Sequence, residues 1–206
     1  MQQIISSFDP ANDGWQYMWV IVLVGAAALG FAVNKFIYIV LKSSKGRGVM
    51  MGNIANLLKA GKYDEAMSVA GAHETPLARI IYAILSRRDK GKDGMTEAMD
   101  EVFLTEAPRI SRYMTMIQIC ASVATLLGLL GTIYGLIYTF DAVANKPAAE
   151  RPKALADGIA VAMATTFLGL IVAIPLLLIQ GGLAMQAERL VEEMEEKGLK
   201  IINILA

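Results

Sequence analysis

Charge is missing from three long stretches of this sequence. No Asp, Glu, Lys or Arg occurs from Gly14 to Asn34, from Tyr113 to Phe140 or from Gly158 to Ala187. Each stretch reaches or exceeds the ~20 residues that a helix needs to cross ~30 Å of hydrocarbon, and helices of soluble cores rarely run so far uncharged. Other scarcities exclude functions. The one cysteine, Cys120, cannot close an internal disulfide, and inside an apolar stretch it says little about redox compartment. The one histidine, His73, stands beside Glu74 with no Cys/His cluster at ligand spacing, so a surface or packing role is expected and no metal. A formal net charge of +0 gives no basis for nucleic-acid binding. Ser, His and Asp occur without a nucleophile motif, and no Walker or Rossmann glycine loop is present. Neither an enzyme nor a cofactor is expected. The first fourteen residues hold no Lys or Arg, so the first apolar run lacks the positive flank of a signal peptide and is expected to be retained.

What remains is apolar: 55% of the 206 residues are hydrophobic. The pattern predicts an all-α polytopic membrane protein with three transmembrane helices, two of them extended into a cytoplasmic helical domain. Asp9 and Asp13 precede the first span, whereas Lys35, Lys42, Lys45 and Arg47 follow it. The positive-inside rule therefore puts the N-terminus outside, and Trp15, Tyr17 and Trp19 form an outer aromatic belt. The expected organisation is an external N-terminus over 1–14, spans over 15–41, 113–140 and 158–187, and a cytoplasmic helical region over 42–112. An external loop over 141–157 and a cytoplasmic tail over 188–206 complete it. Within 42–112, helices are expected over Met50–Lys59, Tyr63–Ala70, Pro76–Arg88 and Met95–Ala107, punctuated by Gly61, Gly71, Gly91 and Gly94. The last should feed into the second span with at most a kink at Pro108. The third span's helix should continue to Gly198, bent at Pro175. No internal repeat supports an inverted-repeat transporter.

The second span carries Gln118, Ala121, Thr125, Gly128, Thr132, Gly135 and Thr139 at alternating spacings of three and four. That spacing places them on one helix face, with Leu126, Leu127, Leu130, Ile133 and Ile137 elsewhere. The third span has a weaker match in Ala162, Thr165, Thr166, Gly169, Ala173 and Gln180. Close packing accounts for the small residues Gly128, Gly131, Gly135, Gly169, Ala162 and Ala173. It does not require a hydroxyl on every second turn. The alternative is that Thr125, Thr132, Thr139, Thr165 and Thr166 line a polar path occupied by another chain. None of these residues changes charge near neutral pH, whereas a proton path through a membrane ordinarily uses a carboxylate, His or Lys. If the chain conducts ions, the titrating group must come from a different subunit.

The run Glu106-Ala-Pro-Arg-Ile, followed by Leu126-Leu-Gly-Leu-Leu-Gly-Thr-Ile-Tyr-Gly, resembles the ExbB/TolQ/MotA proton-channel family. So do Ala164-Thr-Thr-Phe-Leu-Gly-Leu-Ile-Val-Ala-Ile-Pro and Pro76-Leu-Ala-Arg. The resemblance covers nearly the whole chain. Three spans and an external N-terminus look like ExbB or TolQ rather than the four-span MotA branch. It implies a homo-oligomeric ring, a pentamer, in the bacterial inner membrane, with a periplasmic N-terminus and a cytoplasmic C-terminus. Inside it would sit a single-span partner of the ExbD/TolR type supplying a membrane Asp, faced by Thr132 and Thr166. Proton flow through that Asp would then drive work on an outer-membrane process through a TonB-like protein. Two positions depart from the family pattern: Val161 stands where many relatives have Glu, and Thr125 where many have Pro. A TolQ-like envelope role, a gliding or secretion motor, and a membrane scaffold without conduction are the alternatives.

Overall fold

The computed structural model describes Phe8, residues 15–42 and residues 47–205. Apart from Phe8, the expected external N-terminus with Asp9 and Asp13 lies outside the described residues, as do Lys45 and the Lys42 side chain. The described chain is helical, with no strand. Helix α1 spans Trp15–Phe36 and passes into a π-helical stretch, Ile37–Lys42. Four helices follow: α2 (Arg47–Lys59), α3 (Tyr63–Gly71), α4 (Pro76–Ser86) and α5 (Gly91–Ser111). Helix α6 covers Met114–Ala144 and α7 covers Arg151–Leu205. Three helices are long and apolar enough to cross a membrane.

The chain divides into two compact units, Met1–Val33 with Tyr113–Gly181, and Asn34–Arg112 with Gly182–Ala206. The first is built from α1, α6 and the first half of α7. Helix α1 buries Met18, Ile21, Gly25, Ala28 and Ala32, the three-and-four spacing of a single packed stripe. Its core joins Ile21, Ala28 and Ala32 to Ile117, Ala121 and Ala124 of α6 and to Ala173 and Leu176 of α7. Alanine and glycine dominate the seam, so the helices approach closely. A Cβ on Gly25 would stand 2.7 Å from Val172 Cγ1. Leu23, Leu126, Ile137, Met163 and Leu178 are turned outward and exposed, as lipid or further protein chains require.

In the second unit, α4 turns Arg79, Tyr82 and Ser86 outward on one face and buries Leu77, Ile80, Ile81, Ile84 and Leu85 on the rest. Thr75 caps it by accepting from the Ala78 amide at 3.3 Å, and Pro76 occupies the first turn, where its missing N–H costs nothing. Met50, Ile54 and Leu58 of α2, Met95, Ala98 and Met99 of α5, and Leu190, Met194, Ile201 and Ile202 of α7 complete this core.

Three local expectations are corrected. Gly198 does not end α7: a Cβ there would stand 2.8 Å from Met99 Sδ, so the glycine serves close approach inside a continuing helix. Gly94 likewise lies inside α5, whereas Gly91, at φ 73°, opens that helix. Finally, α5 runs through Pro108 to Ser111, and the break falls at Arg112–Tyr113, where Tyr113 is left-handed at φ 71°. The Tyr113 ring stacks on Phe31, with centroids 5.4 Å apart and planes 15° from parallel.

Candidate functional site

The buried face of α6 comprises Ile117, Ala121, Ala124, Gly128, Gly131, Gly135 and Thr139. It lies one residue to the side of the stripe read from the sequence. Thr125 and Thr132 therefore stand at its margin, half-buried, and Gln118 is exposed rather than on the packed face. On α7 the seam contains Ala162, Thr165, Gly169, Ala173 and Leu176, with Thr166 at the margin. Pro175 sits inside α7 without interrupting it, exposed, and Gln180 is half-buried.

Glycine sets the separation of α6 and α7. A Cβ on Gly128 would stand 3.0 Å from the Thr165 carbonyl and 3.1 Å from Thr166 Cα. One on Gly169 would stand 2.7 Å from the Ala124 carbonyl, and one on Gly135 2.9 Å from Ala162 Cβ. Gly131 faces the Thr165 side chain, at 2.7 Å from Oγ1. Backbone carbonyls thereby come within reach of hydroxyls on the opposite helix.

Thr166 donates to the Gly128 carbonyl at 2.9 Å, across the two helices. Thr165 reaches the same carbonyl at 3.2 Å and Ala162 O at 2.7 Å. Thr132 lies within 3.1 Å of Ala162 O and 3.2 Å of Gly128 O, and its Oγ1 is hydrogen-bonded to Thr166 Oγ1. These contacts outnumber the three protons that the hydroxyls carry, so each proton has more than one acceptor. Thr125 and Thr139 donate within their own helix, to Ala121 O at 3.2 Å and Gly135 O at 2.6 Å. The structure thus joins Thr132, Thr165 and Thr166 into one cluster and leaves Thr125 and Thr139 apart from it. No Asp, Glu, Lys, Arg or His belongs to the cluster, and among the described residues no group of His, Cys, Asp or Glu could hold a metal.

Two features lie outside the stripes. Glu106, 3% exposed, accepts from Arg79 at 2.8 Å and from Arg109 at 2.9 Å. Lys35, also 3% exposed, donates to the Arg109 carbonyl at 2.7 Å. The i, i+3 placement of Glu106 and Arg109 was a signal for the pair, but the partner Arg79 lies 27 residues away. The second is a cleft of about 290 Å³ in the first unit, into which Thr139, Val161 and Asp157 face.

Known proteins share this arrangement of sequence. An ExbB homolog of biopolymer transport from Methanothermobacter thermautotrophicus is 30% identical over 166 residues, 81% of this chain and 58% of the relative. This chain therefore spans a little over half of that relative's length. The biopolymer transport protein exbB1 of Vibrio cholerae is 26% identical over 188 residues, 90% of this chain and 82% of the relative. An ExbB-like biopolymer transport protein of Synechocystis is 33% identical over 106 residues, 51% of this chain and 50% of the relative. The model of the MotA/TolQ/ExbB proton channel family matches residues 72–196, which take in Thr132, Thr165 and Thr166. A membrane protein with three apolar helices, this chain belongs to the MotA/TolQ/ExbB proton channel family.

Proposed function

We propose that this chain is the ring-forming subunit of a proton-driven motor in the bacterial inner membrane. Its working partner is a single-span protein of the ExbD/TolR type with a membrane carboxylic acid, and its output passes to a TonB-like protein that energises outer-membrane transport. The N-terminus is periplasmic, the C-terminus cytoplasmic, and the ring a pentamer. One observation carries the reading: Thr132 and Thr166 pair at the margin of the α6–α7 seam, half-buried, in a cluster with no titratable side chain. A margin position leaves hydroxyl lone pairs free to accept from a protonated acid on another helix, and no group here can store the proton itself. The outward apolar faces of α1, α6 and α7 supply surface for copies of the chain and for lipid. One charge crossing is worth ~2.3 kcal/mol per 100 mV, so a few protons suffice for a conformational step of several kcal/mol.

The experiment is Thr132→Val and Thr166→Val, nearly isosteric and without the hydroxyl. Energised transport is expected to vanish while assembly with the partner persists. Full activity in both variants would refute the reading. A TolQ-like envelope role or a gliding or secretion motor differs only in the partner's periplasmic portion. A conduction-free scaffold draws support from Thr165, whose hydroxyl is buried wholly within packing. Unimpaired proton coupling in the Thr132→Val protein would favour the scaffold.

A further inference from the structure

From Ala162 to Leu176, and again from Leu183 to Ile202, the buried residues of α7 recur at steps of no more than four, as a helix packed along one face requires. Between Leu176 and Leu183 the stripe misses a turn. Leu177, Leu178 and Ile179 are exposed, and the position where the stripe would continue holds the half-buried, polar Gln180. Gly181 and Gly182 follow. The other glycines of α7 are held to their size by packing: a Cβ on Gly158 would collide with Thr139, on Gly169 with the Ala124 carbonyl and on Gly198 with Met99. On Gly181 or Gly182 it would meet nothing within 4 Å, and neither glycine has a positive φ.

Glycine inside a helix sacrifices backbone entropy, and here no close contact in the chain explains its presence. Helices bend at proline and at pairs of glycine. Pro175, about two turns earlier, has no N–H to offer the Ile171 carbonyl. Residues 175–182 thus combine a missing backbone bond, a missed turn of packing and two adjacent residues of low helix propensity, the traits of an easily deformed segment. The boundary between the two units falls at Gly181–Gly182. Where the chain crosses that boundary between α5 and α6, the helix is broken outright at Arg112–Tyr113, with Tyr113 at φ 71°. The remaining crossing, at Val33–Asn34, is followed closely by the π-helical stretch Ile37–Lys42. Each crossing therefore has a departure from the regular packed α-helix at or near it.

We propose that α7 carries a flexure over residues 177–182 that bends during the working step of the motor. This rests on the proposed function, and the test separates the two. Gly181→Ala with Gly182→Ala stiffens the segment without a clash. In proteoliposomes holding the chain with the single-span protein that co-purifies with it, the double variant is expected to assemble, to melt no lower than the parent and to lower proton flux ~3- to 10-fold. Gly52→Ala, equally free of clashes but in α2, should leave flux unchanged. Spin labels on Ile171→Cys and Glu192→Cys, both exposed, in a Cys120→Ala background diluted among unlabelled chains, span about 31 Å of helix across the segment. Their distance distribution should be broad in the parent and about twofold narrower in the double variant. Equal widths overturn the proposal, and so does unaltered flux beside a narrowed distribution. Loss of assembly in the double variant also overturns it, because the glycines would then serve the close approach of another chain. Thr132→Val should abolish flux; if it does not, the motor reading fails, while the distance measurement still decides whether α7 bends.

Discussion

Thr165 and Thr166 are adjacent in sequence and differently placed, one buried in the seam and the other at its margin. Thr165 is 2% exposed and bonded to Ala162 O and Gly128 O, so Thr165→Val removes interior hydrogen bonds. That should cost about 0.5–1.5 kcal/mol of stability. Thr166→Val gives up a half-buried bond to the same carbonyl, so it should cost no more stability than that while, on the proposed function, removing coupling that Thr165→Val preserves, a contrast that melting and transport assays of the pair will reveal. Glu106 makes a second residue-scale case. Glu106→Gln leaves Arg79 and Arg109 without their shared carboxylate. Because those arginines are 46% and 56% exposed, the loss should fall near 1–3 kcal/mol, below that of a fully buried pair, and appear as a lowered Tm. Spacing put Thr132 and Thr166 on faces that the structure brings to the margin of the seam, but it also put Gln118 on the packed face, where it is exposed. Periodicity gives a direction around the helix, not the width of the contact or its ends, and α6 centres its contact on Ala121 and Ala124 instead. Asp157, read only as the end of an external loop, belongs to the second turn of α7, and no local pattern marks a cleft made with another helix.

At the scale of the element, the α6–α7 contact depends on two glycines that face each other. A Cβ on Gly169 would stand 3.1 Å from Gly128 Cα and closer still to the Ala124 carbonyl. Backbone cannot swing aside as a side chain can, so Gly169→Ala or Gly128→Ala should each cost about 1–3 kcal/mol by forcing the helices apart. Together they should cost less than the sum, because one displacement relieves both. Gly30 of α1 is the control, since a Cβ there would meet nothing within 4 Å. Gly30→Ala should stabilise α1 by up to about 1 kcal/mol through helix propensity, as denaturant unfolding in detergent can measure. Extents of helix were legible where apolar periodicity and caps agreed, as for α4 behind Thr75 and Pro76. The Arg112–Tyr113 break was not, since a left-handed tyrosine has no sequence signature and Pro108, the obvious breaker, is accommodated inside α5.

For the whole molecule, the absence of charge over three stretches was enough to give three membrane-length helices, and the motifs were enough to give the family. The two units follow the charge pattern closely: the first holds the uncharged stretches up to Val33, from Tyr113 and as far as Gly181, and the second holds the charged run from Lys35 to Arg112 and the charged end of α7. The uncharged cluster has its consequence at this scale. The purified chain, reconstituted by itself, should hold a pH gradient, and adding the acid-bearing single-span protein should dissipate it. Proton leakage at motor-like rates from the chain alone would contradict the assignment of the titrating group to another subunit.

The Gly128 carbonyl, reached from both helices by Thr132, Thr165 and Thr166, gives the seam a further property. Hydroxyls with interchangeable acceptors can reorient by torsion about Cβ–Oγ while every helix stays still. Under the proposed function, such rotors would let the wall polarise around an ion in transit on the picosecond-to-nanosecond scale of side-chain torsions, well ahead of any rigid-body rearrangement. A fast local dielectric response would thus accompany each slow mechanical stroke, lowering the electrostatic barrier without adding a fixed charge that could trap the ion.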